Sequence, residues 1–326
     1  MPAAAAPRPP RHVLVSSASR KVPLLRAVID AARRVDPAMR VLAGDRDPGA
    51  LTKFVADGFL TLPPTHAAHA EELRALCRAH GIGIVIPTRD GELAFWATHA
   101  AAFAHDGIKI IVSDPEAVAI SVDKLRFARH GQSAGLPVIP TWEQPQGAGR
   151  FVVKERQGAG SRSIGLDLDA EAARVHARAL AEPVFQPHVR GTEVSVDAWL
   201  DQGHRVKGLV LRTRDLVVDG ESVVTTTFRD QALEAVCRRA LESLPLRGPV
   251  VLQLMLDGAR RPHLIELNAR FGGASTAGIA AGLDVWYWSL REALGADLDR
   301  HPFRRAPEEV RQVRVATDLH IHGHDL

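Results

Sequence analysis

At 326 residues, 46% hydrophobic and 24% charged, the chain has the size and composition of a globular protein of two or three domains, which excludes a disordered tail or a disulfide-stapled miniprotein. A formal net charge of +3, evenly spread, is too weak a field to argue for nucleic acid, and no run comes near the roughly 18 apolar residues of a membrane span. The two cysteines, Cys77 and Cys237, each sit in a helical pattern and read as reduced, buried thiols, which fits the cytoplasm.

Residues 1–11 are Ala/Pro/Arg-rich and read as a disordered lead-in without the apolar segment of a secretory signal. Residues 12–16 form a β run, 23–34 an amphipathic helix, and 41–45 a second strand ending in the acidic turn Gly44-Asp45-Arg46-Asp47. Helix over 67–80, strand over 84–87, helix over 91–103 and strand over 108–112 follow, and Ser113-Asp114-Pro115 opens another helix. Strands alternating with helices at this spacing predict an α/β fold with a parallel sheet over 12–120, whose ligands collect at the carboxyl ends of the strands. Those ends hold residues 16–21, 45–47 and 88–92, where Asp90 is expected to cap a helix and Glu92 is a candidate for an amino group. No Gly-x-Gly-x-x-Gly follows the first strand and no Gly-Lys-Ser/Thr occurs, so nicotinamide and P-loop chemistry rank low.

A second segment starts near Ser121. Residues 123–134 are helical and end at Gly135-Leu136-Pro137. After a Pro/Gly-rich connection comes a strand over 151–154, ending at Lys154, then the loop Gln157-Gly158-Ala159-Gly160-Ser161-Arg162-Ser163. Glycines let backbone N–H groups approach an anion, Ser161 and Ser163 add hydroxyl donors, and a lysine beside them suits phosphate. Taken alone, such a loop is as often merely solvated. Strand over 164–168, helix over 170–180 and strands over 184–189, 194–200 and 206–212 lead to a helix over 234–244 and a last clear helix over 284–294. The cluster Trp286-Tyr287-Trp288 reads as core packing.

The most informative stretch is His-Leu-Ile-Glu266-Leu-Asn268-Ala-Arg270-Phe-Gly-Gly, residues 263–273. Alternation along a strand puts Glu266, Asn268 and Arg270 on one face, opposite Ile265, Leu267 and Ala269. A carboxylate beside an amide oxygen suits a hard cation such as Mg²⁺ bound together with phosphates, and an adjacent arginine suits a migrating phosphoryl group. Upstream, residues 250–256 are apolar and β-rich and Asp257-Gly258 opens a turn. A hairpin closing with Leu256 opposite His263 places Gln253 opposite Glu266, as a third oxygen ligand; a one-residue slip would turn it away. Arg212 and Arg214 end a strand and are candidates for clamping a substrate carboxylate, against the alternative of a solvated strand end. Ser275 and Thr276 are candidates for the acceptor pocket. His320, His322 and His324 alternate near the C-terminus, where a terminal strand is favoured over a zinc or copper site.

The order Asp123-Lys124, Val-Val-Lys154 with its Gly/Ser loop, Gln186 to Val189, Gly191-Thr192-Glu193, Gln253, then Glu266-Leu-Asn268-Ala-Arg270, resembles the ATP-grasp superfamily over nearly the whole chain. The stretch Ile86-Pro-Thr-Arg-Asp90-Gly-Glu92-Leu resembles stand-alone relatives of the carbamoyl-phosphate synthetase large subunit, including pyrrolysine-pathway ligases. The resemblance implies an α/β pre-ATP-grasp domain over 12–120, a central subdomain with a lid over 121–192, and an α+β C-terminal subdomain with the metal site over 193–326. It implies that Lys124 and Lys154 contact ATP, that Gly158, Gly160, Ser161 and Ser163 belong to the lid, and that Gln186 to Val189 form the adenine hinge. Glu193 would bind the ribose, Gln253, Glu266 and Asn268 one or two Mg²⁺ ions (Mn²⁺ as an alternative), and Arg270 the γ-phosphoryl group. Many members have Glu where Gln253 stands, so a second metal should bind more weakly here. The implied activity is an ATP-dependent carboxylate–amine ligase acting on small molecules, with room for a homodimer. The alternatives are an ATP-grasp kinase or an inactive ATP-binding regulatory protein.

Overall fold

The computed structural model describes residues 11–158 and 163–321, and the chain divides into two compact units. Most of the lead-in, the lid residues Gly160 and Ser161, and His322 and His324 lie outside the described residues.

The first unit comprises residues up to Val112 together with Trp286–His301. Its strands are β1 (His12–Ser16), β2 (Val41–Asp45), β3 (Gly58–Thr61), β4 (Ile82–Pro87) and β5 (Lys109–Ile110); its helices include α1 (Val22–Val35), α2 (Ala70–Ala79) and α3 (Asp90–His105). The sheet order is β3-β2-β1-β4-β5, with every neighbouring pair parallel. This is the alternating α/β pattern that the sequence predicts, plus β3, which the sequence reading misses. β4 is buried at every position, as expected of a strand covered on both faces. The core gathers Leu14, Leu42, Leu73, Cys77, Trp96 and Phe103. Trp96 meets Phe103 edge-on at 5.3 Å between ring centroids. Gly44 is required by this packing, since a Cβ there would lie 2.6 Å from Leu62 Cδ1.

The second unit holds residues 113–285 and 302 onward. Helices α4 (Pro115–Ser121) and α5 (Lys124–Ser133) lead to β6 (Phe151–Glu155), β7 (Gly165–Leu168), α6 (Ala170–Ala177) and β8 (Pro183–Pro187). The three strands form an antiparallel sheet in the order β7-β6-β8. Then come β9 (Gly191–Leu200), β10 (Val206–Val218), β11 (Glu221–Phe228), α7 (Gln231–Leu241), β12 (Gly248–Asp257), β13 (Pro262–Asn268) and α8 (Thr276–Ala280). After α9 (Val285–Ala293), most of which belongs to the first unit, β14 (Arg311–Val313) completes the fold. The larger sheet runs β13-β12-β9-β10-β11-β14 and is antiparallel throughout. Its β10 continues past Arg212, where the sequence reading stops, and turns through Asp219-Gly220 into β11. Both turn residues have positive φ, the backbone that an Asp-Gly hairpin turn requires.

β13 is an edge strand of this sheet. The segment 137–139 lies along it: Leu264 N–H donates to Pro137 O at 2.8 Å, and Ile139 N–H donates to Leu264 O at 2.8 Å. Cys77 and Cys237 are both free and buried, and burial pushes each thiol up to about 12, so neither is a thiolate at neutral pH. Among the described residues no helix is long and apolar enough to cross a membrane.

Candidate active site

The geometry begins with the β12–β13 hairpin. Gln253 pairs with Glu266, as the sequence alternation anticipates. The route differs, however. At the turn Leu256 pairs with Pro262 and Met255 with His263, one residue off the expected register. A bulge between Gln253 and Leu254 on one side and Leu264 and Glu266 on the other restores it, leaving Ile265 as the extra residue.

The register extends this row across the sheet. Gln253 also pairs with Ser195 on β9, and Ser195 with Arg212 on β10. Directly opposed residues share a face, so Glu266, Gln253, Ser195 and Arg212 line up across four strands. Glu193 and Asp197, two residues either side of Ser195, and Arg214, two beyond Arg212, join the same face.

Two lysines approach from other elements. Asp123 caps α5, accepting the N–H groups of Leu125 and Arg126 at 3.0 Å, so Lys124 begins the helix in a fixed position. Burial alone would raise the Asp123 carboxyl, but the hydrogen bond from Arg156 and the backbone donors outweigh it and hold the group below the usual range. Lys124 Nζ donates to Gly158 O at 3.2 Å and stands 3.8 Å from Glu266 Oε2. Lys154, at the end of β6, is only 6% exposed. Burial lowers its pKa to about 8, with Glu266 and Glu193 pulling it up and Lys124 pushing it down. Glu193 shows the converse: burial raises its carboxyl, against the field of Arg214, whose Nη1 lies 3.4 Å away.

Arg270 donates to Phe271 O at 3.2 Å and to Asn268 Oδ1 at 3.3 Å. Glu266 and Asn268 are both half-buried on one face of β13. One carboxylate and one neutral oxygen are a donor set that fits Mg²⁺ shared with phosphate oxygens, and the neighbouring ammonium groups fit a polyanion. Among the described residues no three His, Cys, Asp or Glu side chains converge as a self-sufficient metal site, so the remaining ligands would come from a bound molecule.

Several sequence expectations change. Arg212 was a candidate for a bidentate substrate clamp, but Nε and Nη2 already bind Asp197 at 2.8 and 3.2 Å, and both side chains are buried. Ser275, proposed to line the acceptor pocket, is 2% exposed; it donates to Asp197 Oδ1 at 2.5 Å and accepts the Gly272 N–H at 3.0 Å. Gly272 has no room for a Cβ, which would fall 2.6 Å from that serine oxygen. The Gln186 side-chain amide donates to Thr141 Oγ1 at 2.9 Å, which leaves open the backbone hinge expected of Gln186 to Val189, and Val189 follows the end of β8 and is half-buried. Gly158 and Ser163 are exposed and border residues 159–162, which lie outside the described residues. Asp90 does not cap α3: Arg89 holds the cap position, and Glu92 reaches back to its N–H at 3.1 Å. His320 is exposed and lies outside any strand. The residue the sequence reading misses is Asp197. Its signal was the same-face series Glu193, Ser195, Asp197 in an otherwise apolar strand.

A family model described as "ATP-grasp in the biosynthetic pathway with Ter operon" matches residues 180–318, and one described as "PylC-like, N-terminal domain" matches residues 13–111. The two matched regions are separate, and the PylC-like one precedes the ATP-grasp one in sequence. A phosphoribosylamine–glycine ligase from Streptomyces coelicolor is 28% identical over 188 residues, which are 51% of this chain and 45% of that protein. The chain therefore spans under half the length of this curated relative. Solved structures share the ATP-grasp fold. The biotin carboxylase domain of Hydrogenobacter thermophilus 2-oxoglutarate carboxylase, solved with MgADP and bicarbonate, superposes with a TM-score of 0.70 at 18% identity, over 89% of this chain and 70% of that one. The L-amino acid ligase of Bacillus licheniformis gives 0.67 at 19% identity over 88% and 75%. N5-carboxyaminoimidazole synthetase of Staphylococcus aureus, complexed with ADP, gives 0.70 at 14% identity over 88% and 78%.

Proposed function

We propose that this protein is an ATP-dependent ligase that activates a small-molecule carboxylate as an acyl phosphate and joins it to an amine, with amino-acid or peptide-like substrates. The observation that carries the reading is the convergence of Lys124, Lys154, Glu193 and Glu266 on one site, with Asn268 and Arg270 beside them. Two ammonium groups next to a metal-type donor pair suit a triphosphate and its cation, and the ligases among the similar proteins support the choice of reaction.

In this reading Lys124 and Lys154 hold the phosphates and Glu193 takes the ribose hydroxyls. The substrate carboxylate attacks the γ-phosphorus in line, ADP leaves, and the acyl phosphate is then attacked by the amine nitrogen, which expels phosphate and loses a proton. Arg270 neutralises charge on the transferring group. Mg²⁺, held by Glu266 and Asn268, would supply Lewis-acid stabilisation of the phosphoryl oxygens. Arg212 Nη1 is buried without a hydrogen-bond partner, while Asp197 fixes Nε and Nη2 of the guanidinium. The deciding experiment is an ADP-release assay over pairs of small carboxylates and amines. The expected result is release that requires Mg²⁺ and a carboxylate and rises with the amine. A stable phosphorylated product formed without any amine would make the protein a kinase, and ATP bound but never turned over would make it a regulatory binder.

A further inference from the structure

We propose that Arg214 is a resident cation of the site and holds the place of one metal ion, so that the nucleotide complex carries a single divalent cation, seated on Glu266 and Asn268. This rests on the nucleotide-binding reading above.

Arg214 ends the polar row of β10, one step beyond Arg212 on the same face, and its side chain is only 10% exposed. Its guanidinium reaches three acceptors. Nη2 donates to Gly220 O at 2.9 Å, which ties it to the β10–β11 turn. Nη1 lies 3.4 Å from Glu193 Oε1. The same Nη1 lies 2.5 Å from one end of the Gln253 amide, and Glu266 Oε1 faces the other end; hydrogen-bond complementarity assigns the amide oxygen to the Arg214 side and the nitrogen to the Glu266 side. The chain Arg214–Gln253–Glu266 therefore orients the amide completely. Its nitrogen faces the carboxylate and its oxygen faces the guanidinium.

The consequence for metal binding follows from this orientation. Gln253 can ligate a cation only through its oxygen, and that oxygen is already bonded to a positive charge. A second divalent ion at this position would displace the guanidinium or stand directly against it, and like charges at such range repel strongly. Guanidinium is always protonated and planar, so it provides a permanent charge next to the phosphates without needing a dissociable ligand. On the far side the contacts are longer: Asn268 Oδ1 accepts from the Arg270 guanidinium at 3.3 Å and Glu266 Oε2 lies 3.8 Å from Lys124, against the 2.5 Å contact between Arg214 and the Gln253 amide. One cation seat is thus filled by the chain itself and one is left for a metal.

The test is a count of Mn²⁺ bound per chain at saturating non-hydrolysable ATP analogue, read by electron paramagnetic resonance and corrected for analogue-bound Mn²⁺ in solution. The parent protein is expected to bind one ion. Gln253→Glu alone is expected to bind one, because Arg214 still faces the new carboxylate. Arg214→Met combined with Gln253→Glu is expected to bind two and to show a spin-coupled pair. Two ions in the parent, or in Gln253→Glu alone, would overturn the role of Arg214 while leaving the nucleotide reading intact. One ion in the double variant would overturn it as well. A parent protein that binds no analogue in the presence of Mn²⁺ would bring down both readings. If the double variant fails to fold, the counts for the parent and for Gln253→Glu still decide.

Discussion

Two carboxylates, one in each unit, have opposite surroundings. Glu92 in the first unit is fully enclosed and accepts four donors: Ser16 Oγ at 2.6 Å, Thr88 N at 2.9 Å, Trp96 Nε1 at 3.0 Å and Arg89 N at 3.1 Å. Every lone pair is used to join β1, β4 and α3. Glu266 in the second unit keeps 26% of its side chain exposed, and its nearest cation is 3.8 Å away. A carboxylate saturated by its own fold is a structural joint, whereas one faced by loosely placed cations retains charge for a ligand. The difference separates scaffold from chemistry more sharply than burial does.

The largest test of that contrast is Glu266→Ala. Turnover of ATP should fall by at least about 10³-fold while the thermal midpoint stays within about 3 °C of the parent, because the proposed function makes Glu266 a metal ligand and the side chain is only half-buried. ADP release and circular dichroism on the same preparation check both halves, and near-parental turnover would remove Glu266 from the site. Glu92→Ala should do the reverse. Orphaning four donors in the first unit should cost about 3 kcal/mol in denaturant unfolding, with ATP affinity of the folded protein unchanged. A loss of affinity without loss of stability would make Glu92 a ligand-binding group.

A third prediction concerns Lys154, whose ammonium form burial destabilises, bringing its pKa down to about 8. Bound phosphates favour the charged form, so nucleotide binding takes up a proton above that pH. Affinity should be full below pH 8 and fall as pH rises through it, by at most about tenfold per unit, and Lys154→Met should flatten the profile. Calorimetric titration across that range measures it, and a flat parental profile would exclude the role. The smallest effect is expected at the surface network of Glu71, Arg74, Arg78 and Asp106 in the first unit, where Arg78 is itself exposed and Arg78→Ala should leave the thermal midpoint unchanged.

How much of this was readable in advance depends on the range of the interaction. The β12–β13 hairpin is local, and its Asp-Gly turn and alternation place Gln253 against Glu266 before any coordinates. That agreement came from two departures that cancel, the shifted turn and the bulge at Ile265, and neither has a marker in composition. The parallel sheet of the first unit was legible because its strands and helices alternate at regular spacing. The pairing of Asp197 with Arg212 was not, because it depends on which strands become neighbours in the larger sheet. The β10–β11 hairpin carried a readable signal, Asp219-Gly220 between valine-rich runs, but the charged Arg-Thr-Arg-Asp sequence before it masked the strand. The orientation of the Gln253 amide depends on Arg214, two strands away, and no local pattern encodes it.

The covering of β13 by residues 137–139 has a further consequence. A strand at a sheet margin offers unmatched N–H and C=O groups that can template pairing with a neighbouring molecule, and aggregation starts at such margins. Here the strand bearing the most chemistry lies on that margin, where it must present polar groups to one side. Because both backbone groups of Leu264 are bonded to the adjoining segment, and Pro137 and Pro140 flank that segment, the chain guards its margin against intermolecular stacking while keeping the face of Glu266 and Asn268 open.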